Sequence, residues 1–237
     1  TADNKTREYG DANPALTYTF GTFKNGETSA VLSSLPTAST AAIGTTNVGT
    51  ASITLAGGSD TNYNYVFTSG TLTITKATLT ATAQNAARDY GDANPALTVG
   101  YTGFKNSENS GVIDTLATAS TTATNTTNAG TAVISATGAN DNNYNFTYVD
   151  GVLTIGKADL NIIADDKTRI YGDANPALTY TFGTFKNGET SAVLAGLPTI
   201  STTATNTTNA GTAAITLAGG SDTNYNYVLT NGTLTIT

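Results

Sequence analysis

The octapeptide Tyr-Gly-Asp-Ala-Asn-Pro-Ala-Leu occurs three times in the chain at a constant spacing of 81 residues, starting at Tyr9, Tyr90 and Tyr171. A period of this length exceeds one turn of a solenoid and suits a small domain that buries a core of its own. The sequence therefore predicts three tandem domains without insertions. We call them copy 1, copy 2 and copy 3, and they cover residues 1–75, 76–156 and 157–237.

Copy 1 begins at a later point of the repeat than the other two copies. The period places Thr1 level with Thr82, so copy 1 has no counterpart of residues 76–81. We therefore expect its first strand to be incomplete. We also expect the chain to be an excerpt from a longer array.

The composition argues against several classes of function. The formal net charge is −7 and only 10 residues are Lys or Arg, so a basic patch for nucleic acid is not expected. No apolar run approaches the length that crosses a bilayer, so we expect no membrane insertion of this segment. Cys and His are absent, which removes common catalytic nucleophiles, the commonest general base and most ligands of transition metals. We predict that the chain is not an enzyme and has no cofactor.

Copy 2 is complete and gives the order of its first elements. Leu79, Ala81 and Ala83 alternate with threonines, which predicts a half-buried strand. The octapeptide that follows predicts a turn, because its Gly permits positive φ, as we expect for Gly91, and its Pro fixes φ. A second strand comes next, with Tyr101 on its apolar face.

The segment after the second strand predicts a short helix. In copy 1, residues 25–28 resemble a helix start with an acidic first turn, the apolar residues Val31 and Leu35 lie four positions apart, and Pro36 follows as a stop. The helix would have about two to three turns and would depend on packing against a sheet. Copy 2 has Gly111 inside this segment and Ala117 in place of the Pro, so its helix is predicted to be the weakest. Further strands with alternating apolar residues complete each copy.

The copies share one order of recurring words, which copy 2 repeats with some replacements. The words are the octapeptide, Phe-Lys-Asn-Gly-Glu-Thr, Gly-Thr-Ala-x-Ile, Asp-Thr-Asn-Tyr-Asn-Tyr and Gly-Thr-Leu-Thr-Ile-Thr-Lys-Ala. With these words the chain resembles the MBG family of bacterial surface proteins over essentially its whole length. The resemblance implies a β-grasp-type module strung in tandem along large secreted adhesins. It also implies an extracellular location on a bacterial cell surface and a role as a stalk or spacer.

The predicted fold class is accordingly α+β and mostly β, with three tandem β-grasp-like domains that each have a small sheet and one short helix. The connections between copies, at residues 75–77 and 156–158, contain no Gly/Ser spacer. We therefore expect the domains to stack end to end as a fairly stiff rod. The expected partners are neighbouring repeats of the same longer chain. Polysaccharide and other adhesin copies are further candidates.

Two sets of recurring residues could have a role beyond the fold. Aspartates in Asn-rich turns could offer oxygen ligands to Ca²⁺, although Asp in such turns mostly bonds its own backbone. The calcium candidates are Asp11, Asp92, Asp173, Asp60, Asp141 and Asp222. The second set consists of tyrosines that either pack in the core or stack on sugars. They are Tyr63, Tyr65, Tyr144, Tyr148, Tyr225 and Tyr227.

The octapeptide is predicted to be a structural motif, and an Arg that precedes it in each copy is expected to form a buried pair with a turn Asp. The arginines are Arg7, Arg88 and Arg169. The motif residues are Tyr9, Gly10, Asp11, Pro14, Tyr90, Gly91, Asp92, Pro95, Tyr171, Gly172, Asp173 and Pro176.

Three functions remain open at this point. The first is a stalk that places an adhesive tip away from the cell. The second is a set of modules that bind a glycan or matrix polymer weakly and gain avidity by repetition. The third is a self-assembling extracellular fibre in which chains donate strands to one another. A recurring aromatic surface would favour binding, whereas a chain that stays monomeric at high concentration would argue against the fibre.

Overall fold

The computed structural model describes residues 1–237 and contains eighteen β-strands, four three-residue 3₁₀ turns and no α-helix. The strands are β1 (Lys5–Glu8), β2 (Ser34–Ser39), β3 (Gly49–Ser59), β4 (Gly70–Thr75), β5 (Ala77–Ala83), β6 (Ala86–Asp89), β7 (Val99–Thr102), β8 (Thr118–Ser120), β9 (Gly130–Thr137), β10 (Tyr144–Val149), β11 (Gly151–Gly156), β12 (Ala158–Ala164), β13 (Lys167–Arg169), β14 (Tyr180–Phe182), β15 (Thr199–Thr202), β16 (Gly211–Ala218), β17 (Tyr225–Thr230) and β18 (Gly232–Ile236). The 3₁₀ turns are Ser29–Val31, Ser110–Val112, Lys186–Gly188 and Ser191–Val193. No helix is long and apolar enough to span a membrane.

The predicted short helix is absent from every copy, and a 3₁₀ turn stands in its place. In copy 1, Asn25 and Gly26 have φ values of 54° and 72°, so helical backbone cannot begin until after them. The 3₁₀ turn Ser29–Val31 contains no buried residue. Val31 and Leu35 are 47% and 52% exposed, so no apolar face is available to hold so short a helix against a sheet. The helix prediction is therefore wrong.

The fold is mostly β and consists of three tandem repeats, as predicted, but the β-grasp arrangement is not confirmed. Each complete copy divides its strands between a three-stranded and a four-stranded sheet. The strand orders are β10–β5–β7 and β6–β11–β9–β8 in copy 2, and β14–β12–β17 and β13–β18–β16–β15 in copy 3. Copy 1 has one sheet, with the order β1–β4–β3–β2.

The chain forms two compact units, and each unit takes in strands from two successive copies. Unit 1 comprises Thr1–Ala83, Thr98–Ala119 and Ser135–Val149, and unit 2 comprises Gln84–Leu97, Ser120–Ile134 and Asp150–Thr237. Unit 1 therefore holds the sheet of copy 1 and the three-stranded sheet of copy 2. Unit 2 holds most of the four-stranded sheet of copy 2 and both sheets of copy 3.

In unit 1, strand β4 lies inside the four-stranded sheet. It pairs in parallel with β1 and antiparallel with β3, so that Ile74 lies opposite both Arg7 and Gly49. Its buried residues alternate with exposed threonines, as a strand with one face on the core requires. This register places the end of β1, and hence the Tyr-Gly turn after it, at the end of β4.

The core of unit 1 continues from copy 1 into copy 2. Ile74 of β4 and Ala77 and Leu79 of β5 belong to one cluster of buried residues, together with Tyr9 and Tyr144. Only one residue, Lys76, separates β4 from β5. Strand β5 therefore follows β4 into the next sheet without a linker, and buried apolar side chains surround the connection between the two strands.

Unit 2 contains an equivalent connection, between β11 and β12, 81 residues later. Ile155 of β11 and Ala158 and Leu160 of β12 are buried, as are Tyr90 and Tyr225. Strand β12 runs parallel to β17 and antiparallel to β14. The connection from copy 2 to copy 3 is thus surrounded by the same types of buried residue as the connection from copy 1 to copy 2.

In copy 3 the chain leaves the three-stranded sheet after β12 and enters the four-stranded sheet at β13. The Asp166 carboxylate accepts the backbone N–H of Thr233 at 2.7 Å, which fixes the crossing against β18. A Cβ on Gly232 would lie 2.6 Å from the carbonyl oxygen of Ala164. Only Gly fits at such a close approach of two backbones.

Candidate functional site: the joint between successive copies

The recurring octapeptide forms a turn that projects from the end of each four-stranded sheet. In copy 1, the N–H of Tyr9 donates to the carbonyl of Thr75 at 2.8 Å, and the N–H of Asp11 donates to the carbonyl of Glu8 at 3.2 Å. Gly10, between them, has a φ of 84°, as predicted for this position. We call the segment Tyr9–Asp11 and its equivalents the Tyr-Gly-Asp turn.

A buried Arg holds the turn in place. The guanidinium of Arg7 donates to the side-chain oxygen of Asn13 at 2.8 Å and to the carbonyls of Glu8 and Ile43 at 2.9 and 2.6 Å. Arg7 is 6% exposed. The expected pairing with a turn Asp is wrong, because the partners are a carboxamide and two carbonyls whose geometry satisfies three of the five donors. Arg88 and Arg169 make the equivalent bonds.

The next copy receives the turn with a short loop, Lys105–Glu108. Asn106 and Ser107 have φ values of 51° and 60°, and the N–H of Glu108 donates to the carbonyl of Lys105 at 2.9 Å. The Tyr144 hydroxyl accepts the N–H of Lys105 at 2.8 Å. The first residue of β10 therefore positions the loop. We call the contact between a Tyr-Gly-Asp turn and the loop of the next copy the joint.

The centre of the first joint is one carboxylate between two tyrosines. The hydroxyls of Tyr9 and Tyr144 donate to the two oxygens of Glu108 at 2.6 and 2.5 Å. Their rings meet edge to face with centroids 5.6 Å apart. Burial, followed by the bond to Glu108, raises the pKa of both hydroxyls above the ordinary value of 10.0. Charge-assisted hydrogen bonds such as these two are stronger than hydrogen bonds between neutral groups.

An ion pair and a carboxamide bridge lie beside this centre. The Lys105 ammonium contacts the Asp11 carboxylate at 2.8 Å, and this hydrogen bond raises the pKa of Lys105. The side chain of Asn143 accepts the N–H of Val48 at 3.0 Å and donates to the side chain of Asn47 at 3.1 Å. Lys105 and Asp11 are 33% and 46% exposed, so the pair contributes at most about 1 kcal/mol. The two tyrosines and Glu108 therefore dominate the joint.

The second joint, inside unit 2, reproduces the first. Tyr90 and Tyr225 donate to the two oxygens of Glu189, both at 2.6 Å. The bond to Glu189, followed by burial, raises the pKa of Tyr90, and burial is the leading cause at Tyr225. Lys186 contacts Asp92 at 2.7 Å. The chain therefore makes one interface twice, at the 81-residue period of its sequence.

Two copies present one half of a joint each. In copy 1 the equivalents of the receiving residues are Lys24, Glu27 and Tyr63, and Tyr63 donates to Glu27 at 2.7 Å. In copy 3 the Tyr-Gly-Asp turn begins at Tyr171, which is 54% exposed, whereas Tyr9 is 3% exposed. The backbone keeps its form in both places, because Gly172 and Asn25 have φ values of 88° and 54°, close to the 84° of Gly10 and the 51° of Asn106.

The calcium candidates are dispersed, and no group of three or more acidic side chains converges in the structure. Asp11 and Asp92 face the lysines of the joints. Asp141 bonds backbone instead, because it accepts the N–H groups of Asn143 and Tyr144 at 2.7 and 3.0 Å.

The remaining candidates do not add a cluster. Asp222 accepts the N–H groups of Asn224 and Tyr225. Asp60 accepts the N–H groups of Asn62 and Ser33, and the bond from Asn62 is the leading cause that lowers its pKa. Asp173 lies in the exposed turn of copy 3.

Sequence reasoning did not find the acidic centre of the joint or the Asn that bridges it. Glu108 and Asn143 lie 35 residues apart in the chain, and their partners Tyr9 and Val48 belong to another copy. The available signal was recurrence, because each residue has a counterpart at the 81-residue period: Glu27, Glu108 and Glu189, and Asn62, Asn143 and Asn224.

A family model described as MBG domain (YGX type) matches the chain three times, at residues 1–73, 79–154 and 160–235. No curated protein matches the sequence. The second and third matches begin 81 residues apart, which is also the spacing of the two joints.

Proposed function

Because the chain belongs to the family of MBG domains of the YGX type, as the sequence resemblance predicted, we propose that it is a non-catalytic spacer of a bacterial adhesin. The family is a structural repeat family typical of extracellular surface proteins and is not known for enzymatic activity. In the proposed role the repeats hold an adhesive tip away from the cell surface. Neighbouring repeats of a longer chain are then its principal partners.

The observation that carries the proposal is the construction of the joints. A spacer must transmit position from one repeat to the next, and a flexible Gly/Ser linker does this poorly. Here one residue, Lys76, separates β4 from β5, and the centre of Tyr9, Glu108 and Tyr144 lies beside it. The same arrangement occurs once within each unit and supports a spacer built from periodic repeats.

A glycan-binding role receives less support from the same residues. Sugar stacking requires an accessible aromatic face. Tyr144 and Tyr225 are only 1% and 2% exposed. Their hydroxyls donate hydrogen bonds to the carboxylates of the joints. The spacer is therefore favoured over repeated sugar sites at these positions.

Spin-label distances across the first joint test the rigidity that a spacer requires. The chain has no cysteine, so Thr50→Cys and Thr147→Cys place two labels at exposed sites within unit 1. We expect a narrow distance distribution. Combined substitution of Lys105, Glu108 and Asn143 by Ala should broaden it.

The chain offers a matched control for this measurement. Lys24, Glu27 and Asn62 are the equivalents in copy 1 and contact no Tyr-Gly-Asp turn. Replacing these three by Ala should leave the distribution between the labels unchanged. Equal broadening in both triple variants, or in neither, would contradict the proposal.

Small-angle scattering of the full chain gives a second test. A compact globule of 237 residues has a radius of gyration of about 18 Å. A spacer of successive rigid repeats should give a value well above this figure. A measured radius near 18 Å would rule out the spacer role and leave the joints as features of a compact protein.

A further inference from the structure

The first and the last strands of a copy run side by side in the same direction. In copy 3, which lies entirely within unit 2, β12 pairs in parallel with β17, and β13 pairs in parallel with β18. Both pairings join residues 67 positions apart, such as Ala158 and Tyr225 or Arg169 and Ile236. One register therefore continues through both sheets of the copy. We call these four paired strands the parallel ladder of copy 3.

A side-chain hydrogen bond keeps this register where the chain changes sheets. Between β12 and β13, the Asp166 carboxylate accepts the N–H of Thr233, which also lies 67 positions further along the chain. At the start of the ladder, the Asn226 side chain donates to the Asp159 carboxylate at 2.8 Å. Side chains thus cross-link the two segments at the start of the ladder and at the crossing, where backbone pairing is interrupted.

The other two copies have the same parallel pairings. Strands β1 and β4 pair in unit 1, as do β5 and β10, and β6 pairs with β11 in unit 2. Asn4 and Asn85 occupy the position of Asp166. Their side-chain oxygens accept the N–H groups of Thr71 and Val152, both at 2.8 Å. The crossing bond therefore recurs at the 81-residue period together with the strands that it connects.

One face of the parallel ladder is closed to water. In copy 3, the side chains of Leu160, Ile162 and Leu234 on this face are buried. Hydrogen bonds in such low-dielectric surroundings are stronger than hydrogen bonds in water. The end of the ladder is held as well, because the N–H of Thr237 donates to the carbonyl of Arg169 at 3.0 Å, and Arg169 is itself buried.

Tension along the chain acts on the two segments of the ladder in opposite directions. Strand β11, the last of copy 2, is followed after the single residue Lys157 by β12, the first of copy 3. A pull therefore draws the first segment of a copy towards its start and the last segment towards its end. Because the segments are parallel and adjacent, this pull slides them past each other and loads all their hydrogen bonds together. Separation from one end would break the same bonds one after another.

We propose that the parallel ladder is a shear clamp, which gives each copy a mechanical function, resistance to tension along the chain. Forced unfolding is governed by the rate of unfolding, and this rate is low when many bonds must break in one step. The inference rests on the proposed spacer role, because a spacer between a cell and an attached tip carries tension.

Single-molecule pulling on the full chain tests the clamp in two directions. The chain has no cysteine, so pairs of introduced cysteines provide the attachment points. Asp159→Cys with Thr237→Cys loads the ladder of copy 3 in shear. Asp159→Cys with Asn226→Cys, at two positions that face each other across β12 and β17, separates the ladder from its start. At equal loading rate, the unfolding force in shear should be at least about twofold the force of separation.

The crossing residue gives a matched pair of variants. At constant force in shear, Asp166→Ala should unfold at least about tenfold faster than the chain that has only the attachment cysteines, because a hydrogen bond to a charged acceptor is lost. Asp166→Asn keeps a side-chain oxygen, as Asn85 does in copy 2, and should unfold at nearly the original rate. In the separation experiment, Asp166→Ala should leave the peak force unchanged, because the bonds between β12 and β17 break first.

Equal forces in the two directions would overturn the clamp, as would equal unfolding rates of Asp166→Ala and Asp166→Asn in shear. The scattering measurement distinguishes this failure from failure of the spacer role. Equal forces in a chain whose radius of gyration is well above about 18 Å would reject the clamp alone. Unequal forces in a chain with a radius near about 18 Å would support the clamp and reject the spacer.

Discussion

The second residue of the octapeptide is a Gly for two separable reasons. Gly91 has a φ of 85°, and a Cβ there would lie 2.4 Å from the Cβ of Lys186 in the second joint. Gly172 has nearly the same φ, 88°, but no atom within 4 Å of the position of a Cβ. Backbone conformation thus requires Gly at both positions, and close packing requires it only where a joint forms.

Alanine substitutions separate the two requirements. Gly172→Ala should lower the free energy of unfolding by about 1 kcal/mol through backbone strain alone. Gly91→Ala should cost about 1–3 kcal/mol more, because the loop that carries Lys186 must move away. Urea unfolding of the full chain, followed for unit 2, measures both. Equal losses would mean that the second joint does not form in solution.

The tyrosines of the joint give it a dependence on alkaline pH. The pKa values of Tyr9 and Tyr144 are raised above 10.0, so the folded chain keeps protons that the unfolded chain releases above that pH. Stability from the joint is therefore fully present below about pH 10 and falls as pH rises through the raised pKa values. The raised pKa of Lys105 acts in the same direction.

We expect Tyr144→Phe to remove much of this dependence. At neutral pH the variant should lose about 1.5–3 kcal/mol, the range for a hydrogen bond to a charged group. Above pH 10 its stability should fall less steeply than that of the unsubstituted chain. Tyr148→Phe, at an exposed tyrosine outside the joint, is the control and should keep the steep decline. A parallel decline in both variants would contradict the prediction.

At the scale of elements, the sequence predicted the strands well where one face of a strand is buried. Leu79, Ala81 and Ala83 lie on the buried face of β5, as their alternation indicates. The helix failed because spacing alone cannot tell an apolar pair that packs from one that stays exposed, as Val31 and Leu35 do. The joints were not predicted, because their contacts connect residues about 100 positions apart, as in Tyr9 and Glu108.

Copy 2 replaces two residues together, and the structure gives the reason. The other copies have Phe and Pro at these positions, as in Phe20 and Pro36, whereas copy 2 has Tyr101 and Ala117. The N–H of Ala117 donates to the Tyr101 hydroxyl at 2.6 Å. Pro has no N–H, so the hydroxyl gains its donor only when both residues change.

A double-mutant cycle tests this coupling. Tyr101→Phe should cost about 1 kcal/mol, because the N–H of Ala117 loses its partner, and Ala117→Pro should cost a similar amount. The double variant restores the pair found in copies 1 and 3, and its loss should be smaller than the sum of the two single losses by about 1 kcal/mol. Thermal unfolding of the four chains supplies the values. Simple additivity would show that the two replacements are independent.

For the whole molecule, the joints are interchangeable in their chemistry. The receiving residues of copy 3 are Lys186, Glu189 and Asn224, the same types as in copy 2. Copy 1 offers the turn Tyr9–Asp11 together with backbone groups such as the N–H of Val48. Copies 1 and 3 differ at thirteen of the 75 positions they share, and none of the joint residues named here except Val48, which contributes only its backbone, is among the differences.

Deletion of residues 76–156 should therefore give a chain that folds and joins copy 1 directly to copy 3. The deletion keeps the 81-residue period and leaves Lys157 between β4 and β12, so the loop of copy 3 meets the turn of copy 1 in register. Urea unfolding should show the stability contributed by one joint, and that stability should fall above pH 10 as it does in the full chain. Deletion of residues 76–157 removes that Lys as well and shifts β12 by one residue, which turns its apolar face outward. We expect this second chain to be clearly less stable. If both shortened chains were equally stable, contacts specific to copy 2, and not the repeated joint, would hold successive copies together.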